Sequence, residues 1–156
     1  LIKILLENNI IVIRSNLYNQ ELTLVSGIYT KIKPNKSDLI EIKIGINYLS
    51  KTNSLDHVQG LVVRNNKVIV KENSKGTKKM LTSIKKTKNK MGILIKFPKK
   101  KQDLRADLPT IGLDTLKDCK KAGIKGIVLK SKHNIFLDKT KSINFANKNR
   151  IFIKIK

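Results

Sequence analysis

Gly92-Ile93-Leu94-Ile95-Lys96-Phe97, a polar loop over residues 98–112, Leu113 to Ala122, Gly123, and then Ile127 to Lys130 form the stretch that decides the fold. Ile93 to Phe97 is short, apolar and rich in β-branched side chains, which predicts a strand. Leu113 to Ala122 reads as a helix that ends at Gly123, where a left-handed residue commonly closes the last turn. Ile127 to Lys130 is again a strand. Strand, loop, helix and strand in succession indicate an α/β domain.

Reading outward toward the C-terminus, a turn at His133-Asn134 leads into Ile135-Phe136-Leu137. Asp138 is placed to cap a helix over 139–148, and Ile151 to Ile155 reads as a last strand. Toward the N-terminus, Gly60 to Arg64 and Val68 to Lys71 are two strands around Asn65-Asn66, a pair that tolerates the positive φ of a tight hairpin turn. Gly76 to Lys86 reads as a helix with Met80, Leu81 and Ile84 on one side. Residues 37–50 are ambiguous by periodicity. Leu39, Ile42, Ile46 and Leu49 make a helical stripe behind a Ser37 cap, with Asp38 and Glu41 in the first turn. Ile40, Ile42, Ile44 and Ile46 alternate as in a strand. Residues 15–36 read as a linker, Asn9 to Arg14 as a short buried strand, and residues 2–8 as the tail of a helix. The sum is a small mixed sheet with helices.

The chain has 156 residues, 40% of them hydrophobic, enough for one domain with a real core, or one domain and part of another. No run approaches the roughly 20 apolar residues of a membrane span. The start is too short and too quickly polar for a signal peptide. Since it opens on Leu1 rather than Met, the chain is expected to begin inside a longer protein. Cys119 is alone, which excludes an internal disulfide framework and a multi-cysteine zinc site; within a helix it is read as a packed thiol. Net charge is +23, with 30 Lys and only 4 Arg alongside 23 Ile and 15 Asn. A nucleic-acid protein is expected to use the bidentate guanidinium more often and to carry more than 4% aromatics for stacking. The lysine surplus therefore reads mainly as compositional drift, partly as attraction to an anionic substrate or membrane surface. No nucleic-acid partner is expected, and a basic RNA- or DNA-binding module is the alternative reading.

The segment with the most chemistry is Lys96-Phe97-Pro98-Lys99-Lys100-Lys101-Gln102-Asp103-Leu104-Arg105-Ala106-Asp107-Leu108-Pro109-Thr110-Ile111-Gly112. It follows a strand and precedes a helix, where α/β proteins carry functional loops. Arg105 persists in a chain that prefers Lys, which points to planar, bidentate contact with a phosphate. Asp107 beside cationic residues can bind a divalent metal or orient water against phosphorus. The competing reading is a solvated basic loop with Asp107 as a turn or cap residue. Ser74-Lys75-Gly76-Thr77 opens a helix without P-loop spacing. His57 and His133 lack ligand-spaced neighbours and read as surface or turn residues.

Asp103-Leu104-Arg105-Ala106-Asp107-Leu108-Pro109-Thr110-Ile111-Gly112, preceded by Lys99 and Gln102, resembles the signature of the LpxI-type UDP-2,3-diacylglucosamine pyrophosphatases. The resemblance runs back through Met91 to Lys96, Gly76-Thr77 with Met80, Gln59 to Val63, Leu55-Asp56, Asp38-Leu39 and Lys33-Pro34. It implies that residues 28–156 form the C-terminal catalytic domain of a two-domain protein, that residues 1–27 are the remnant of the N-terminal domain, and that 37–50 is helix. It further implies a hydrolase of lipid A biosynthesis that splits UDP-2,3-diacylglucosamine into UMP and 2,3-diacylglucosamine 1-phosphate with a divalent cation such as Mg²⁺. Asp107 matches the family's essential aspartate, in metal binding or water activation. Lys96, Lys99, Gln102 and Arg105 are implied around the pyrophosphate, with Thr110 and Gln59 as lesser substrate contacts. The implied partners are the missing N-terminal domain, a transient inner-membrane contact from the cytoplasmic side, and a homodimer. The chain departs from the family pattern at Lys75 and Lys78, which replace acidic residues, at Val58, which replaces Gly, and at Lys100, which replaces Pro.

Overall fold

A computed structural model describes residues 2–52, 58–85, 87, 89, 91–99, 103–105 and 107–156. His57, Leu55, Asp56, Lys86 and Gln102 lie outside the described residues. The elements in chain order are α1 (Ile2–Glu7), β1 (Gly27–Ile28), α2 (Lys36–Lys51), β2 (Gly60–Arg64), β3 (Lys67–Lys71), α3 (Gly76–Thr82), β4 (Ile93–Lys96), β5 (Thr110–Ile111), α4 (Leu113–Lys121), β6 (Gly126–Leu129), β7 (Ile135–Phe136), α5 (Lys139–Lys148) and β8 (Phe152–Ile155). Two short 3₁₀ turns, Ser15–Leu17 and Gln20–Leu22, precede β1.

Six strands form one mixed sheet in the order β1-β8-β6-β4-β2-β3. Strands β4, β6 and β8 are parallel. The links between them are α4 and α5, because parallel neighbours need a crossover and a helix supplies it. β5 and β7 make a separate parallel pair. β4 is buried along its whole length, and its alternation divides the core. Leu94 joins Val62, Ile127 and Ile153 under Met80, Leu81, Leu116, Cys119 and Ala146. Ile93 and Ile95 point the other way, to Leu61, Val63, Val128, Phe152 and Ile42 of α2. A strand covered on both faces must be apolar throughout, which is why Ile93-Leu94-Ile95 shows no polar alternation.

The α/β class, the hairpin and α4 agree with the sequence. Asn65 (φ 52°) and Asn66 (φ 59°) are both left-handed, as a two-residue hairpin turn requires. Gly123 closes α4 at φ 73°. Segment 37–50 is helix, but its cap is Asn35 rather than Ser37. The Asn35 side chain accepts from the Asp38 N–H and the Asp38 carboxylate accepts from the Asn35 N–H, each at 2.9 Å, a reciprocal capping box.

Other expectations are corrected. Asn9 to Arg14 is not a buried strand: it has no strand partner, and Ile11 is 82% exposed. An apolar run becomes a strand only where a sheet edge receives it, and the edge beside β8 is taken by β1. Residues 15–36 are accordingly more than a linker, since they hold the two 3₁₀ turns, buried Leu24 and β1. The helix expected over 76–86 ends at Thr82. Asp138 precedes α5 but makes no side-chain cap; its left-handed backbone (φ 48°) offers its carbonyl to the Ser142 N–H at 2.8 Å instead.

Lys125 ties α2 to the start of β6. Its ammonium lies 2.6 Å from Asp38 and 3.4 Å from Glu41, two buried carboxylates. Burial works against the Lys125 charge, but the contacts to Asp38 and Glu41 outweigh it and raise the lysine pKa.

Gly126 sits in register with Phe152 across β6 and β8, and a Cβ there would overlap the Phe152 ring. Gly126→Ala is expected to lower unfolding stability by about 1–3 kcal/mol through overpacking. Gly126→Ala combined with Phe152→Leu should recover part of that loss. Urea midpoints check both, and a single variant as stable as wild type would contradict the packing assigned to this pair.

Candidate active site

The parallel strands β4 and β6 deliver their carboxyl ends to one edge of the sheet, the position where open α/β sheets place ligands. β2 runs the other way, so Gln59 and Gly60 at its start meet the end of β4. The Phe97 N–H donates to the Gln59 carbonyl at 2.9 Å. On the other side, Asn134 donates to the Lys96 carbonyl at 3.1 Å while accepting from the Lys130 N–H at 2.9 Å. The chain that leaves β4 for the loop is held from both sides.

Lys96 ends β4 with only 6% of its surface exposed. Its ammonium forms an ion pair with Glu72 at 3.3 Å and donates to the Thr77 hydroxyl, which in turn donates to Glu72 at 2.7 Å. Glu72 is equally buried, and its other carboxylate oxygen packs against Gly60. The structure therefore brings Lys96 to a buried carboxylate and a hydroxyl beneath the loop.

Beyond Lys96, Phe97, Pro98 and half-buried Lys99 reach a cavity of about 360 Å³, closed by Leu104, Lys130 and His133 and by Ile46 and Leu49 of α2. Asp103 organises the next turn. It accepts from the Arg105 backbone N–H at 3.0 Å, the Asx arrangement, and pairs with the Arg105 guanidinium, Nε to Oδ1 at 3.0 Å and Nη2 to Oδ2 at 2.7 Å. Its carbonyl accepts the Asp107 N–H at 3.1 Å. The hydrogen bonds from Arg105 hold the exposed Asp103 carboxyl down at about 2. Asp107 is exposed on this loop. Thr110, the first residue of β5, is exposed and donates to the Leu108 carbonyl at 3.2 Å.

Lys96 and Gln59 thus lie at neighbouring strand ends, Lys99 lines the cavity beside them, and Arg105 and Asp107 share the Asp103 turn. Gln102 lies outside the described residues. Glu72 and Lys130 were missed by sequence reasoning, while Asp103, Thr77 and His133 were read within their motif, helix start and turn without these contacts. Only Asp103 had a local signal, an Asp two residues before the residue whose N–H it accepts. No group of three or more His, Cys, Asp or Glu side chains with metal-ligand geometry exists among the described residues. Cys119 is buried among core side chains, and burial pushes its thiol pKa up.

The fold and site define an α/β domain with an acidic and cationic loop at the carboxyl end of a mixed sheet. The profile of the LpxI C-terminal domain matches residues 25–154, and the chain belongs to that family. A protein of Caulobacter vibrioides named UDP-2,3-diacylglucosamine pyrophosphatase LpxI is 30% identical over 141 residues, covering 85% of this chain and 50% of that protein. The chain spans about half the length of this relative. No helix among the described residues is long and apolar enough to cross a membrane.

The buried pair and the loop turn each generate a test. Glu72→Ala leaves the Lys96 ammonium uncompensated and is expected to cost about 3–5 kcal/mol in urea unfolding. Combining it with Lys96→Met should restore most of that stability; equal losses in the single and double variants would show that the pair is not the cause. For Asp103, a depressed folded pKa means its contribution is present above about pH 4 and is lost as pH falls through about 2. In Arg105→Gln, its carboxyl ¹³C titration should move up toward about 3.9; an unmoved midpoint would sink the pairing.

Proposed function

We propose that this chain is the C-terminal catalytic part of a hydrolase of lipid A biosynthesis that splits the pyrophosphate bond of UDP-2,3-diacylglucosamine, giving UMP and 2,3-diacylglucosamine 1-phosphate. The reading is carried by the LpxI C-terminal domain match over residues 25–154, which includes the whole loop from Lys96 to Gly112. It is supported by the position of that loop at the carboxyl ends of β4 and β6.

In this reading Asp107 is the essential carboxylate, exposed where substrate arrives, and it binds a metal or orients the attacking water. The donor set fits Mg²⁺ of the kind held by one carboxylate plus substrate phosphates, since both Asp103 oxygens already face Arg105. When bound, Mg²⁺ supplies neutralisation of the pyrophosphate charge. Lys99 and Arg105 add positive charge, and Gln102 a hydrogen-bond donor, where negative charge builds at phosphorus. Thr110 and Gln59 are lesser contacts. Lys96, occupied by Glu72 and Thr77, acts from beneath by fixing the strand end from which the loop departs. Lysines at the surface favour transient contact with an anionic membrane leaflet.

The test uses the intact protein, with the sequence that precedes this domain, and follows UMP release from UDP-2,3-diacylglucosamine with and without Mg²⁺. Asp107→Ala should lower kcat by roughly 100-fold or more while substrate still binds. Wild-type turnover by that variant, or no UMP from the intact protein, would overturn the reading.

A further inference from the structure

Both carboxylates of α2, Asp38 and Glu41, are turned inward and held by Lys125, so the outward face of this helix carries no negative charge. No other Asp or Glu occurs from Ser26 to Lys51, a stretch that holds five lysines. At roughly 100° per residue, Lys36, Lys43, Asn47 and Lys51 fall along the outer crest of α2, and all four are exposed. Apolar side chains flank this crest, where a surface helix ordinarily places polar ones. Leu39 is 47% and Ile40 55% exposed; Ile44 and Tyr48 follow Ile40 at successive turns, and Tyr48 is still 37% exposed. Exposed Ile32, between exposed Lys31 and Lys33, extends the same composition to the segment that enters the helix. Lysines are spread over the whole surface of this protein. What sets α2 apart is that they share one helix face with a stripe of aliphatic and aromatic side chains. The C-terminal half of α2 also reaches the candidate site, since Ile46, Leu49 and exposed Ser50 line the cavity that Phe97, Pro98 and Lys99 enter from the loop.

We propose that the outward face of α2 rests on an anionic lipid surface, with Leu39, Ile40 and Tyr48 entering the headgroup region and Lys36, Lys43 and Lys51 meeting its negative charge. A lysine keeps its ammonium among the headgroups while its methylene stem lies on the apolar boundary, and a tyrosine ring is stable at the same depth. A symmetric contact with a second copy would set the lysine crest against itself, which charge repulsion opposes. A nucleic acid would meet the lysines through its phosphates and leave Leu39 and Ile40 in water. The inference rests on the reading under Proposed function for its biological purpose, and it adds to that reading the face that docks: with α2 on the lipid, the cavity beside Lys99 opens next to the surface that holds an acylated substrate.

Co-sedimentation of the 156-residue protein with vesicles tests this, using phosphatidylcholine alone or mixed with phosphatidylglycerol, at an ionic strength that screens distant charge. Binding is expected only where phosphatidylglycerol is present. Lys43→Gln should weaken it roughly fivefold, the weight of one lysine at an anionic surface. Ile40→Ser should weaken it by roughly the same factor through lost apolar burial. Lys148→Gln removes an equal charge from the exposed end of α5, on the other face of the sheet, and should change binding less than about twofold. Far-ultraviolet circular dichroism confirms that each variant is folded, and Ile40→Ala replaces Ile40→Ser if the latter is not. Equal losses in Lys43→Gln and Lys148→Gln would mean attraction without a docking face and overturn the proposal, as would wild-type binding by a folded Ile40 variant. Polyuridylate bound with the same dependence on Ile40 would give the face to nucleic acid, and a dimer that Ile40→Ser dissolves would give it to a second copy; either result overturns the lipid assignment. Vesicle binding involves no turnover. Binding through α2 together with no UMP release from the intact protein would overturn the proposed reaction and leave the docking face standing, and UMP release without vesicle binding would do the reverse.

Discussion

The buried ion pair between Lys96 and Glu72 is the constraint on which the functional edge of this domain depends. An ammonium at 6% exposure is tolerated only if its charge is met, and Glu72 meets it at 3.3 Å with Thr77 completing the cluster. Glu72 reaches that point because its own N–H is bonded to the Gly60 carbonyl at 2.7 Å, and because Gly60 has no side chain. A Cβ at residue 60 would stand 2.9 Å from the second Glu72 oxygen. One interaction thus joins the ends of β2, β3 and β4. Asn134 then holds the Lys96 carbonyl from the side of β6 and β7. The loop that carries Asp103, Arg105 and Asp107 departs from this platform.

The opposite end of the sheet repeats the device with a second carboxylate added. There one lysine, Lys125, meets two buried carboxylates of α2, Asp38 and Glu41. Asp38 also closes the capping box of α2, and Glu41 accepts the Asn66 N–H at the hairpin turn at 3.3 Å. α2 is the helix that packs on the Ile93 and Ile95 face of β4, while α3, α4 and α5 pack on the other. Its placement therefore draws on directional charge contacts as well as apolar burial. Such contacts specify position more strongly than they add stability, because desolvation of the charges offsets much of their attraction.

Within the loop, Asp103 is the carboxylate that organises the turn. Asp103 orients the Arg105 guanidinium through two donors and receives the Asp107 N–H on its carbonyl. Arg105 is thereby presented with one edge anchored and the other turned to a cavity that Arg14 and Lys132 also line. A preoriented guanidinium loses less side-chain entropy on binding an anion than a free one.

The apolar run Ile93 to Phe97, the helical stretch before Gly123 and the Asn65-Asn66 turn are local signals, and each appears in the structure where the sequence places it. They were enough for the α/β class, the hairpin and α4, and the loop motif from Asp103 to Gly112 was enough for the family. Ile10 to Ile13 shows the limit of such signals: its composition suits a strand, yet β1 occupies the sheet edge and the segment stays exposed. The pairing of Lys96 with Glu72, of Lys125 with Asp38 and Glu41, and of Arg14 with Arg105 around one cavity was decided only by the tertiary structure. Each of those contacts depends on where distant strand ends and turns come together in space, and no spacing along the chain encodes that.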